Sequence, residues 1–291
     1  MYNYNLFGEI VETPQCIVNV ASVRQLSPFR YPGGKTWFIP QIYKWMRSLS
    51  IPPKTFIEPF AGGGIVSLTV ANENLADHVI MAEIDNEVAA VWKTIFYGDV
   101  EWLTNKISTF NITVDNVNKV LVGDYATDEE TAFKTIIKNR TSHGGILAKG
   151  SGLIKNGENG KGVASRWYPQ TIVKRINHIR HLRNKITFIQ ADGMEVIKNH
   201  IGSDSVFFFD PPYTAGGKSA GTRLYNHHEL DHNSLFSLCE GINEFLMTYD
   251  ISGEIETLAK QYNFKAKKIP MKNTHNTKMK EYVISKNLAW V

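Results

Sequence analysis

Between residues 55 and 96 the chain alternates short apolar runs with a glycine turn and helix-like stretches, with almost no spacer. Thr55–Glu58 has the length and composition of a strand, and Ala61-Gly62-Gly63-Gly64 forms the turn after it. Ile65–Ala71 suits a helix, His78–Glu83 a second strand, and Asn86–Phe96 the helix behind that strand. This is a βαβ unit, so the chain is expected to be an α/β protein.

Regular α/β signal returns at Ile186–Ile189 and Val206–Phe209. Glu244–Thr248 has the pattern of a further strand or helix end, and Phe264–Pro270 with Glu281–Ser285 that of a closing hairpin. Residues 100–182 break the rhythm. They hold a helix-like region, Asp128–Lys138, and a stretch rich in Gly, Ser, Asn and Lys from Ser142 to Ser165, so an inserted loop or subdomain is expected there.

A length of 291 residues suffices for one large α/β domain with a sizeable insertion, or for two modest domains. No apolar run approaches a membrane span, and the opening Met1-Tyr2-Asn3-Tyr4-Asn5 lacks the pattern of a signal peptide. Membrane association is therefore not expected, and a cytoplasmic location is. Cys16 and Cys239 have no metal spacing, and with His and Cys so scattered no metal site is expected. Net charge is only +4, but Lys134–Lys185 contains twelve Lys or Arg and one acid, Glu158. A local excess of +11 can neutralise a phosphate backbone. Ordinary solvated helix faces would look the same.

Four carboxylates stand at the ends of strand-like runs. Glu58 precedes the glycine turn within Glu58-Pro59-Phe60-Ala61-Gly62-Gly63-Gly64, whose small residues let a ligand approach the backbone. Glu83 ends the second strand, where an acid accepts hydrogen bonds from ribose hydroxyls, so the unit fits an adenosine ligand. The turn lacks the dinucleotide pattern, and an acid beside it would repel a pyrophosphate. Asp192, before Gly193, could accept from an adenine amine or simply form an Asp-Gly turn. Upstream, Tyr31-Pro32-Gly33-Gly34-Lys35-Thr36 offers a tight turn and a lysine that could cap a ligand. It is not a phosphate loop, because Phe29 stands where that motif needs glycine.

The fourth carboxylate opens Asp210-Pro211-Pro212-Tyr213, directly after Val206–Phe209. The prolines end the strand and leave carbonyls without local amide partners. A conjugated amino group is a poor nucleophile. The Asp210 carboxylate and the Pro211 carbonyl can hold its two hydrogens and favour a tetrahedral nitrogen, while Tyr213 stacks on a base drawn from the duplex. These contacts strengthen as positive charge develops on nitrogen.

Three segments resemble the Dam-like, D12 class adenine-specific DNA methyltransferases. They are Ser27-Pro28-Phe29-Arg30-Tyr31-Pro32-Gly33-Gly34-Lys35, Phe56–Gly64 and Asp210–Tyr213, in the alpha-type motif order. Asp231-His232 after Tyr225, and Lys280–Asn287, are similar to further family features. The resemblance implies a Rossmann-like S-adenosylmethionine-dependent methyltransferase sheet with an inserted target-recognition subdomain. It implies catalytic residues 1–99 and 183–291 around a DNA-recognition region at 100–182. S-adenosylmethionine, leaving as S-adenosylhomocysteine, would lie on Tyr31, Gly33, Gly34, Lys35, the segment from Glu58 to Gly64, Glu83, Ile84, Asp192, Gly193 and Asp210, with no metal required. Glu83 would take its ribose and Asp192 its adenine. Double-stranded DNA would meet Arg140, Lys149, Lys155, Lys161, Arg166, Lys174 and Arg175.

The implied activity is methylation of adenine N6 in a flipped-out base within a specific DNA sequence. A restriction-modification, phage or genome-marking setting follows, with room for a cognate restriction endonuclease. Arg140-Thr141-Ser142-His143-Gly144-Gly145 departs from the family's aromatic-Asn-Gly segment, and Glu83 replaces its usual Asp. On the residues alone, cytosine N4 and a protein glutamine amide remain alternative methyl acceptors, and a catalytically silent DNA-binding protein is a third reading.

Overall fold

The computed structural model describes residues 3–4, 10–11, 18–148, 150–212, 230–272 and 278–291. Seven strands form one sheet: β1 Thr55–Glu58, β2 His78–Ala82, β3 Ile186–Ile189, β4 Ser205–Phe209, β5 Glu244–Asp250, β6 Lys265–Lys272 and β7 Lys278–Ser285. Their spatial order is β3-β2-β1-β4-β5-β7-β6, parallel except for β7, which runs antiparallel to β5 and β6. Apart from this sheet, Asn3–Tyr4 pairs antiparallel with Ile10–Val11. The strand order reverses between β1 and β4, and such a switch point opens a crevice at the carboxyl ends of the strands.

The order explains the composition of each strand. β4 is the middle strand and is buried along its whole length, so its run of phenylalanines serves both faces. Phe208 stacks on Phe38 on one face, while Phe207 and Phe209 face a second cluster with Phe236 and Phe245. Helices α1 Ile39–Ser48, α2 Ile65–Asn72 and α3 Asn86–Phe96 cover the first face. The second face carries α8 Gly193–His200, α9 His232–Glu240 and α10 Gly253–Gln261. Several helices start at an Asp cap that satisfies first-turn amides: Asp85 for α3, Asp192 for α8 and Asp231 for α9.

Residues 100–182 hold more regular structure than their sequence suggests. They form α4 Val100–Thr109, α5 Val114–Val122, α6 Asp128–Thr141 and α7 Pro169–Arg180. Leu103, Ile107, Val117, Ile136, Ile172 and Ile176 are fully buried and join the same hydrophobic cluster as Phe56 and Val66. The stretch between α6 and α7 contains short helical turns at His143–Gly145, Glu158–Gly160 and Gly162–Arg166. Cys239 is a buried free thiol in α9, whereas Cys16 lies outside the described residues. No helix among the described residues is long and apolar enough to cross a membrane.

Candidate active site

The segments singled out in the sequence converge at the carboxyl edge of β1, β2 and β4. Tyr31-Pro32-Gly33-Gly34 is a tight turn closed by the Gly34 amide donating to the Tyr31 carbonyl at 3.1 Å. Proline at its second position and Gly33 at φ 74° are the pairing that a type II turn demands. The turn places the Tyr31 ring over the glycine loop. A methyl group added at Gly62 would lie 2.6 Å from the ring, and one at Gly63 2.7 Å from the Tyr31 Cβ. The space kept open by these glycines is thus used by Tyr31, and a ligand reaching the loop meets that ring as well as the backbone. Trp92 fixes the loop from below, its indole nitrogen donating to the Gly62 carbonyl at 2.9 Å. Gly193 packs against Phe60 and the Pro59 carbonyl, which brings the start of α8 to the same loop.

Both acids beside the loop are turned inward. Glu83 is buried and accepts from the Gly62 amide at 2.9 Å and the Asp85 amide at 2.8 Å, bracing the turn. Burial pushes its pKa up to about 7, with Asp85 acting in the same sense and the amides opposing. Glu58 is buried too and accepts from the Ser67 amide in the first turn of α2 at 2.8 Å. Burial pushes it up to about 8, aided by the nearby Asp210 carboxylate and opposed by the Ser67 hydrogen bonds and Lys35. The next residue along from Glu83, Ile84, exposes 38 % of its surface just past the end of β2, an apolar side chain beside the buried acid. Asp192 is exposed and caps α8 by accepting from the Met194 amide at 2.7 Å.

Glu58 has a measurable consequence. Its folded pKa lies above the ordinary 4.5, so the folded chain holds this proton more tightly than the unfolded chain. The resulting stabilisation is complete below pH 4.5 and is lost as pH rises through about 8. Glu58→Gln keeps an oxygen for the Ser67 amide and removes the titration. Thermal melts between those limits should therefore show a flatter pH dependence for the variant. Parallel curves for the two proteins would contradict the assignment.

The ion pairs around Lys35 were not foreseen. Its ammonium, only 2 % exposed, lies 2.8 Å from Asp210 Oδ1 and 3.6 Å from Glu281 Oε2, and donates to the Gly33 carbonyl at 3.0 Å. Thr248, on the neighbouring strand β5, donates its hydroxyl to the same Asp210 oxygen at 3.0 Å. Asp210 remains 20 % exposed, so it is held from within while still reachable from solvent. Thr248 ends the run Glu244–Thr248 and Glu281 lies in the family-like segment Lys280–Asn287. Both positions were visible, but no local pattern assigns them a role. Pro211 and Pro212 follow β4 at this edge, and Tyr213 lies outside the described residues.

Of the cations expected to face DNA, Lys155, Lys161 and Lys174 are exposed, whereas Lys149 lies outside the described residues. Arg140 requires correction. It is 5 % exposed, its guanidinium donates to the Pro28 carbonyl, and burial pushes its pKa down to about 9. Its position in the last turn of α6 points it at the Ser27–Arg30 segment, not at solvent. Arg175 is half-buried and donates to the Ser27 carbonyl at 3.0 Å, and Arg166 pairs with Glu158. Asn139 completes this clamp, accepting from the Arg30 amide at 2.9 Å and donating to the carbonyls of Arg30 and Gly145. Part of the basic excess in residues 134–185 therefore holds the Tyr31 segment in place.

Residues 31–119 match the family model of the D12 class N6 adenine-specific DNA methyltransferases. The Type II methyltransferase M.MjaIII of Methanocaldococcus jannaschii is 22% identical over 259 residues, covering 82% of this chain and 86% of that protein. Among solved structures, PH1948 of Pyrococcus horikoshii, a proposed RNA methyltransferase, aligns with 91% of this chain and 92% of its own at TM-score 0.40 and 10% identity. An uncharacterised protein of Listeria monocytogenes serotype 4b aligns with 86% of this chain and 70% of its own at TM-score 0.38 and 8% identity. Over residues 31–119 the chain is therefore similar to the D12 class of N6 adenine-specific DNA methyltransferases, a class whose methyl donor is S-adenosylmethionine.

Proposed function

We propose that Asp210 and the Pro211 carbonyl receive the amino group of an adenine turned out of the duplex, and that Tyr213 stacks on it. The observation carrying this reading is the fixed Asp210 carboxylate. Lys35 and Thr248 hold one oxygen from inside the fold, and the group reaches solvent at the strand edge beside the glycine loop. A carboxylate pinned in this way meets an N–H donor without reorganising, and its attraction grows as the nitrogen becomes positive. It is also the group placed to take the proton that the nitrogen releases, directly or through water.

The residues at the loop fit S-adenosylmethionine. Tyr31 offers an aromatic face, Ile84 an exposed apolar one, Glu83 a carboxylate at the end of β2, and Asp192 an exposed carboxylate at the end of β3. Gly33, Gly34 and Lys35 would shape one wall, and Pro59, Phe60, Ala61 and Gly62–Gly64 the other. When bound there, the cofactor supplies an electrophilic methyl group on a sulfonium. Glu58 acts through α2, by holding its first turn, and does not face the ligand.

DNA would be read by residues 100–182, with Lys155, Lys161 and Lys174 on its phosphates and Arg166 and Lys149 near it. Modification at one short sequence, in the cytoplasm and alongside a cognate restriction endonuclease, is the biological setting that fits a class of this kind. Incubation with labelled S-adenosylmethionine and genomic DNA, followed by mapping at nucleotide resolution, tests the reading. The expected result is label on adenine N6 within one recurring sequence. Label confined to cytosine, or absent from DNA, would overturn it.

A further inference from the structure

The densest positive charge in the chain lies outside the region expected to read DNA. From Lys265 to Lys280 there are six lysines and no acid. These residues make up most of the β6–β7 hairpin. Many cations of residues 134–185 are occupied internally, with Lys138 on Glu87, Arg166 on Glu158 and Arg180 on Glu101. In the hairpin, Lys265, Lys268 and Lys280 are exposed.

Register concentrates the charge. Lys268 pairs with Tyr282, Pro270 with Lys280 and Lys272 with Lys278, on successive rungs two residues apart. Residues two apart along a strand, and residues directly opposite across a pair, belong to the same face. Like charges directly opposite are destabilising unless a counter-charge lies between them. Lysines on an edge strand such as β6 can guard against strand addition. That role does not account for Lys280, because β7 lies inside the sheet between β5 and β6.

The hairpin also has the right place. The last residue of β5, Asp250, pairs with Glu281, and the rungs from Lys280 to Lys278 continue past it. Three rungs overhang the sheet by about 10 Å at the edge where Asp210 lies. Glu281, adjacent to Lys280, itself pairs with Lys35 in the site. With β4 the middle of seven strands, β7 lies about 10 Å and β6 about 14 Å to one side of it. The helical region 100–182 joins β2 to β3 on the other side.

We propose that the β6–β7 hairpin is a second contact with the DNA backbone, gripping the duplex on the flank of the site opposite the helical region. This rests on the reading of the chain as a DNA methyltransferase. The contact is with phosphates, so it adds affinity without choosing sequence.

The test is titration of a fluorescent double-stranded oligonucleotide of random sequence at several salt concentrations. Lys268→Gln/Lys280→Gln should reduce the slope of log K against log salt by about 2, and the quadruple variant that adds Lys272→Gln and Lys278→Gln by about 3 to 4. Cofactor affinity and the rate at saturating DNA should stay at wild-type values, which also shows that the variants fold. Lys54→Gln/Lys198→Gln removes two charges remote from the hairpin and from residues 134–185, just before β1 and in the last turn of α8, and should leave the slope unchanged. An unchanged slope in the hairpin variants, or an equal drop in this control, would overturn the hairpin contact alone. Failure of the wild-type chain to bind or methylate DNA would instead overturn the reading beneath it.

Discussion

Asp210→Ala is expected to lower the methyl-transfer rate about 10³-fold or more, through loss of both the amino-group acceptor and the proton acceptor. The fold should survive, because Lys35 keeps Glu281 as a partner and is not left as a lone buried cation. Cofactor binding should be largely retained, since the glycine loop is held by Tyr31, Glu83 and Trp92. Single-turnover kinetics with saturating DNA separates the chemical step from binding. A variant that transfers methyl groups at the normal rate would show that another group receives the adenine nitrogen.

The second large effect concerns stability. Lys35→Met deletes the cation between Asp210 and Glu281 and leaves two carboxylates facing each other in a largely buried space. Removing one member of a buried ion network costs about 3–5 kcal/mol. In a chain of this size that corresponds to a fall in melting temperature on the order of 10 °C. Thermal melts of the wild type and the variant under identical conditions check this. An unchanged melting temperature would show that the ion network around Lys35 contributes no net stability.

These two residues also mark how far the sequence alone could be read. Strands β1 and β3 and helix α3 were legible to the residue, because short apolar runs bounded by Gly, Pro or Asp leave little choice of register. The hairpin at the end of the sheet was legible for the same reason, though its strands run further than the apolar pattern does. Residues 100–182 were harder. Their apolar positions are spaced among many Asn, Lys and Thr, and only tertiary packing shows that Leu103, Ile136 and Ile176 belong to the main core. Asp210 stood out because an acid followed by two prolines has no ordinary place after a buried strand. Lys35 stood out as a possible ligand cap, but its burial against Asp210 and Glu281 did not, since a charge that will be buried looks locally like one that stays in solvent, and nothing local marks Thr248. Arg140 failed for the same reason: a basic run suggests a surface, yet this side chain faces Pro28.

The Lys35–Asp210–Glu281 contact joins the segment before the first strand, the end of the middle strand and the last strand. Contacts this distant in sequence set a high contact order, and the entropy of closing such loops delays them in folding. Local helices and the β6–β7 hairpin can form earlier, but they leave Asp210 without the cation that pins it. The fixed geometry of the Asp210 carboxylate is therefore a product of the last, cooperative step of folding.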